Sequence, residues 1–139
     1  MEELAAQRAR ILEKLKGQHF MHHIGFEITV IEKGHVEGEM ALAPFTKQQL
    51  GFVHGGITAT VADIVQGFAA YTMSPLEKNV VTSNLQIMYH HPGLGERLRA
   101  VGRVVKAGNR MHFCESDIFV VKDGESTLIA KATATMVVI

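Results

Sequence analysis

Apolar residues recur with two different periods along this chain, and the changes of period divide it into elements. Over residues 2–16, Leu4, Ile11, Leu12 and Leu15 fall near one face of a helix. Acids lead this stretch, bases trail it, and Gly17 offers a stop. The run HFMHHIGF that follows reads as a short irregular piece. Strand-like runs over 26–32 and 35–43 meet at Lys33-Gly34, which predicts a hairpin. A polar link over 44–49 leads into a long helix over 55–73, closed by Ser74-Pro75 because a proline ring excludes continued helix. Four β-rich stretches follow at 80–89, 97–106, 111–122 and 127–138, separated by turn residues such as Gly108-Asn109 and Asp123-Gly124. The order is helix, two strands, long helix, four strands. It predicts an α+β protein in which an antiparallel sheet carries one helix on its face.

Composition narrows the class. A chain of 139 residues suits a single domain spanning 1–139, with the N-terminal helix attached. Basic and acidic side chains number 14 each, so no basic surplus is available to grip nucleic acid. The single cysteine, Cys114, excludes an internal disulfide and suits a reducing compartment. The charged N-terminus lacks the apolar run of a signal peptide, and a cytoplasmic protein is expected. Residues 50–73 are apolar enough to suggest a membrane span. They also hold His54, Asp63 and Gln66 and lack flanking anchors, so a buried helix is the better reading and no membrane partner is expected.

The long helix carries the candidate chemistry. Between Gln48 and Leu76 the only charged residue is Asp63, placed mid-helix. Ile57, Val61, Ile64, Val65 and Phe68 form a bulky stripe suited to a sheet, while Ala59, Thr60, Asp63, Gly67 and Ala70 form a small, polar one with Gln66 at its edge. That second face admits a close neighbour or ligand. The helix opens at His54-Gly55-Gly56, where two glycines let a substrate approach the free N–H groups of the first turn. Such donors, with the positive helix end, can hold an oxyanion.

Gly55 and Asp63 stand eight residues apart, about 12 Å along a helix. In acyl transfer the oxyanion donor and the attacking oxygen both lie near one carbonyl carbon. One helix cannot supply both. If both act, Gly55 of one chain meets Asp63 of another, and the chemistry implies a dimer.

The stretch QQLGFVHGGITATVAD closely resembles the signature of PaaI-type hotdog thioesterases, and the likeness extends from about Ile24 to the C-terminus. The resemblance implies a long central helix wrapped by an antiparallel sheet of five to six strands. It also implies a homodimer or dimer-of-dimers tetramer with shared sites, and hydrolysis of an acyl-CoA thioester without a cofactor. By the same resemblance Asp63 matches the acid that serves as nucleophile or general base, and Gly55 the glycine whose N–H polarises the thioester carbonyl. Gln48 matches a residue that positions water or the carbonyl, and Thr82 a hydroxyl residue on the acid's side. His54 and Gly56 count with the substrate-binding residues. Some members carry a hydroxyl residue four places after the acid, where this chain has Gly67.

Other candidates weigh less. Lys106 and Arg110 flank a turn and suit the phosphates of CoA. His19, His22, His23 and His90-His91 lack the converging ligands of a zinc site, and no metal is expected. His112 and Cys114 share one face of a strand, too far apart for a nucleophile–base bond. Two rival functions remain on the same fold: a dehydratase or hydratase, and a non-catalytic acyl-CoA-binding or regulatory module.

Overall fold

The computed structural model describes residues 1–139. Its elements are α1 (Glu2–Leu15), α2 (His19–Ile24), β1 (Glu27–Glu32), β2 (His35–Ala41), a 3-10 turn (Pro44–Thr46), α3 (Gly55–Thr72), β3 (Val80–Tyr89), β4 (Arg97–Ala107), β5 (Met111–Lys122) and β6 (Glu125–Val138). All strand pairs are antiparallel, in the order β1-β2-β4-β5-β6-β3. The sheet of six strands wraps α3, the α+β hotdog layout expected above. No helix is long and apolar enough to cross a membrane.

The bulky stripe of α3 packs as its period requires. Val61, Val65 and Phe68 are buried against Leu98, Ala100 and Ile118 of the sheet. At the closest approach Gly102 of β4 lies under the helix, where an added Cβ would stand 2.6 Å from the backbone of Val65. Only glycine lets helix and strand meet there. At the other end of the sheet Asp123 and Gly124 both take positive φ, 52° and 80°, the signature of a two-residue I′ hairpin. That tight turn pairs Lys122 with Glu125, so β6 starts two residues earlier than its alternation suggests.

Two local readings change. The segment expected to be irregular forms α2, a six-residue helix stopped by Gly25 at φ 80°. Six residues are too few to display a helical period. Gln66, expected at the edge of the polar face, is fully buried; its amide donates to the Ala62 carbonyl at 3.0 Å and to Ser116 Oγ at 3.1 Å. Ala70 is also buried, against Cys114, Ala134 and Met136.

β3 lies at the edge of the sheet and pairs only with β6. Its register shifts between Thr82 and Asn84, a bulge that leaves Ser83 unpaired. A strand's side chains alternate between faces, so residues 82 and 89 would ordinarily point oppositely. The extra residue reverses the parity, and both Thr82 and Tyr89 reach α3.

Candidate active site

The start of α3 is held by the loop before it. His54 takes extended backbone, and its Nδ1 accepts the Gly56 N–H at 2.9 Å as a helix N-cap. The His54 N–H donates to the Thr46 carbonyl at 2.9 Å, and the Val53 N–H to the Gly93 carbonyl at 2.9 Å. Upstream, residues 48–51 form a tight turn in which the Gly51 N–H donates to the Gln48 carbonyl at 2.9 Å. The Leu50 N–H donates to the Gln48 side-chain oxygen. Because that neighbour is a donor, the amide oxygen must face it, and the NH₂ end of Gln48 is left unengaged.

From the opposite side, the Tyr89 hydroxyl donates to the Gly55 carbonyl at 2.6 Å. Burial pushes this phenol's pKa up, which keeps it a donor. The peptide group joining Gly55 to Gly56 is therefore pinned at both ends, its oxygen by Tyr89 and its N–H by His54. The Gly55 N–H itself has no acceptor within the chain. A Cβ on Gly55 would lie 3.2 Å from the Tyr89 oxygen, a tight contact that glycine avoids. Gln48, Gly55, Gly56 and Tyr89 all line one open cavity of about 630 Å³.

Two turns along the helix, the second group gathers around Asp63, which is half-buried. The Thr82 hydroxyl donates to Asp63 Oδ1 at 2.7 Å. This orients the carboxylate and leaves Oδ2 free. The Thr60 hydroxyl turns back to the Gly56 carbonyl at 2.8 Å, within its own helix. Asp63, Thr82 and Gly67 line a second cavity of about 390 Å³, walled largely by apolar side chains.

The sequence candidates thus divide. Gln48, Gly55 and Gly56 share one cavity, Asp63 and Thr82 the other, and no residue lines both. His54 acts on its own helix end through the cap. Lys106 and Arg110 are exposed near the β4–β5 turn and line neither cavity. Tyr89 was not singled out by the sequence. Its role depends on the β3 bulge, and an unpaired Ser83 leaves no mark in the alternation.

His112 and Cys114 face the core. Burial pushes the Cys114 thiol up to about 12, so it stays protonated and unreactive at neutral pH. His112 bonds Ser74 Oγ through Nε2 at 2.9 Å, away from both cavities. His22 contacts the Leu15 carbonyl through Nε2 at 2.6 Å, and His23 packs its ring against Phe45.

Comparison with known proteins adds four findings. The sequence model of the thioesterase superfamily matches residues 50–127, which take in α3 and strands β3, β4 and β5. Medium/long-chain acyl-CoA thioesterase YigI of Escherichia coli K12 is 28% identical, over 90% of this chain and 92% of that one. Among solved structures, a thioesterase family protein from Silicibacter pomeroyi superposes with TM-score 0.94 at 30% identity, covering 96% of this chain and 98% of that one. The Escherichia coli PaaI protein, from the phenylacetic acid degradation operon, shares the fold at TM-score 0.87 and 17% identity, covering 98% and 95% of the two chains.

Proposed function

The chain belongs to the thioesterase superfamily, in its PaaI-type hotdog branch, and on that premise we propose that it hydrolyses an acyl-CoA thioester to a free acid and CoA. One observation carries the reading. An oriented carboxylate and a free helix-end N–H occupy separate cavities, about 12 Å apart along one helix, so each is half of a site.

The free edge of β3 supports the way the halves combine. Thr82 and Tyr89 sit at opposite ends of this strand. An antiparallel β3–β3 pair between two copies lays the Thr82 end of one beside the Tyr89 end of the other. The Asp63–Thr82 group of one protomer then faces the Gly55 end of its partner. Two such sites arise per dimer, and dimers can pair again into a tetramer.

In the shared site the thioester oxygen accepts the Gly55 N–H, and the amide NH₂ of Gln48 is a second donor for it. Asp63 Oδ2 of the other protomer works on the carbonyl carbon. Either it adds directly, expelling CoA thiolate and leaving an anhydride for water to cleave, or it takes a proton from water as the water adds. Both routes end in free acid and CoA, and Thr82 holds the carboxylate for either. His54 and Gly56 shape the entry, and Lys106 and Arg110 are the cations offered to the CoA phosphates. The setting is cytoplasmic, where a lone thiol stays reduced. A hydratase would want an acid and a histidine around one water; His54, which the shared site brings toward the partner's Asp63 together with Gly55, already spends its Nδ1 on the helix cap.

Purified protein incubated with butanoyl-, decanoyl-, hexadecanoyl- and phenylacetyl-CoA, with released thiol followed by absorbance, tests the reading. Thiol release from at least one substrate, lost in Asp63→Asn, is the expected result. Binding of these CoA esters without any release would point to the non-catalytic module instead.

A further inference from the structure

The cavity beside Asp63 runs along α3. Its floor is a single helical stripe of Asp63, Ile64, Gly67, Phe68 and Tyr71, and its roof comes from the start of β3. Midway, Gly67 leaves the floor open: a Cβ added there meets nothing within 4 Å. Tyr71 is the last residue of this stripe, and its ring stacks on Phe68 with centroids 5.8 Å apart. The N-terminal helix braces this ring. Arg10 Cζ stands 4.8 Å and Lys14 Nζ 5.2 Å from the Tyr71 ring centroid, both in cation–π range. Lys14 also donates to Asn79 Oδ1 at 2.7 Å, and the Tyr71 hydroxyl approaches the same oxygen at 3.4 Å. Arg10 donates to the Pro75 carbonyl at 2.5 Å, so α1 is tied to the segment that follows α3.

We propose that this channel measures the acyl chain, with Gly67 keeping it open and Tyr71 ending it, so that the preferred substrates are linear medium-chain acyl-CoAs. The inference rests on the acyl-CoA hydrolysis reading above. A thioester carbonyl at Asp63 has two directions to send its substituents. The CoA arm is polar and charged and suits the open side. The acyl chain is the apolar arm and suits walls of Ile64, Phe68, Val80 and Met136. Asp63 and Tyr71 are eight residues apart. That is about 12 Å of helix, roughly the length of an eight- to ten-carbon chain. Gly67 lies halfway, so a side chain there would cut the channel to about half its length.

Two substitutions move the measure in opposite directions. Gly67→Leu fills the channel while raising helix propensity, so it should fold. Its ratio of kcat/KM for decanoyl-CoA to butanoyl-CoA should fall about tenfold or more, the scale on which a pocket discriminates methylenes. Tyr71→Ala removes the stopper, and its ratio for hexadecanoyl-CoA to decanoyl-CoA should rise by about the same factor. Melting curves check that α1 stays docked in Tyr71→Ala, and the Gly67 arm stands without it. If the wild type hydrolyses acyl-CoAs and both ratios are unchanged in the variants, the measuring role is overturned while the thioesterase reading stands. If the wild type releases thiol from no acyl-CoA, the functional reading itself fails and takes the channel's role with it.

Discussion

The Tyr89 hydroxyl and the Gly55 carbonyl oxygen meet at 2.6 Å across 34 residues of sequence, and this bond ties the edge strand to the first turn of the central helix. A helix end normally leaves its first N–H groups to water. Here Tyr89 and His54 fix the plane of the next peptide, so the free Gly55 N–H is presented in one direction. Electrostatic stabilisation of an oxyanion depends on such preorganised donors, because no reorganisation is then needed during the reaction.

Tyr89→Phe keeps the ring over Gly55 and deletes only the hydrogen bond. The expected cost in stability is about 1 kcal/mol. If the bond aligns the donor for the transition state, kcat should fall by about tenfold with KM little changed. Steady-state kinetics on the best acyl-CoA reads both constants. A normal kcat in a folded Tyr89→Phe protein would show that the clamp serves only the fold.

The acid and its hydroxyl partner should separate by size of effect. Asp63→Asn keeps shape and the contact to Thr82, yet under the proposed mechanism should lower turnover by about 10²-fold or more, the scale of losing a positioned acid–base group or nucleophile. Thr82→Val leaves the carboxylate in place without its orienting donor, and a loss of about tenfold is expected. Equal losses in the two variants would mean that Thr82 does more than orient Asp63.

Much of this is legible in the sequence, for identifiable reasons. The α3 stripe of Val61, Val65 and Phe68 announces itself because a long buried helix repeats its period several times. Asp63 stands out because a lone charge in an apolar helix has few structural explanations. The separation of Gly55 from Asp63 follows from helix rise alone. Tyr89 is hidden because its direction depends on a bulge three residue pairs into β3, which no turn residue announces. Gln66 reads as a surface residue for a different reason: Ser116, which its buried NH₂ meets, lies 50 residues on and is not visible from the helix period.

The buried His112 gives stability a pH dependence. Ser74 Oγ donates to the Ala70 carbonyl at 2.8 Å, so it must accept the Nε2–H of His112. Nδ1 then carries a lone pair, buried without a partner. Burial lowers the ring's pKa in the folded protein. The unfolded chain therefore binds a proton first, and stability is lost as pH falls below about 6.5, by up to about 1.4 kcal/mol per pH unit. Asp117, held low despite its burial by Lys131 and Arg103, contributes only nearer the carboxylate range. Urea unfolding at pH 7.5 and 5.5 should show the loss, and His112→Met should flatten it. An equal slope in that variant would assign the effect elsewhere.

The proposed shared site makes the sharpest prediction, because two dead proteins should combine into a live one. Asp63→Asn lacks the carboxylate but keeps the Gly55 N–H. Gly55→Pro lacks that N–H, and proline suits the first position of a helix, where its fixed φ is already helical. His54 before it has ψ 133°, the extended geometry a following proline requires. The new ring carbons crowd the Tyr89 hydroxyl, since even a Cβ at 55 lies 3.2 Å from it, so folding of this variant is checked first. In a mixed dimer, one of the two sites takes its carboxylate from the Gly55→Pro chain and its N–H from the Asp63→Asn chain, and is whole. The other site lacks both. Random exchange of equal amounts gives half of all dimers in mixed form, each with one of two sites intact, so about a quarter of wild-type turnover should return. Differently tagged subunits, co-purified to isolate the mixed dimer, raise the expectation to about half. Folded parents whose verified mixed dimer stays inactive would rule out a site built from Gly55 of one protomer and Asp63 of the other.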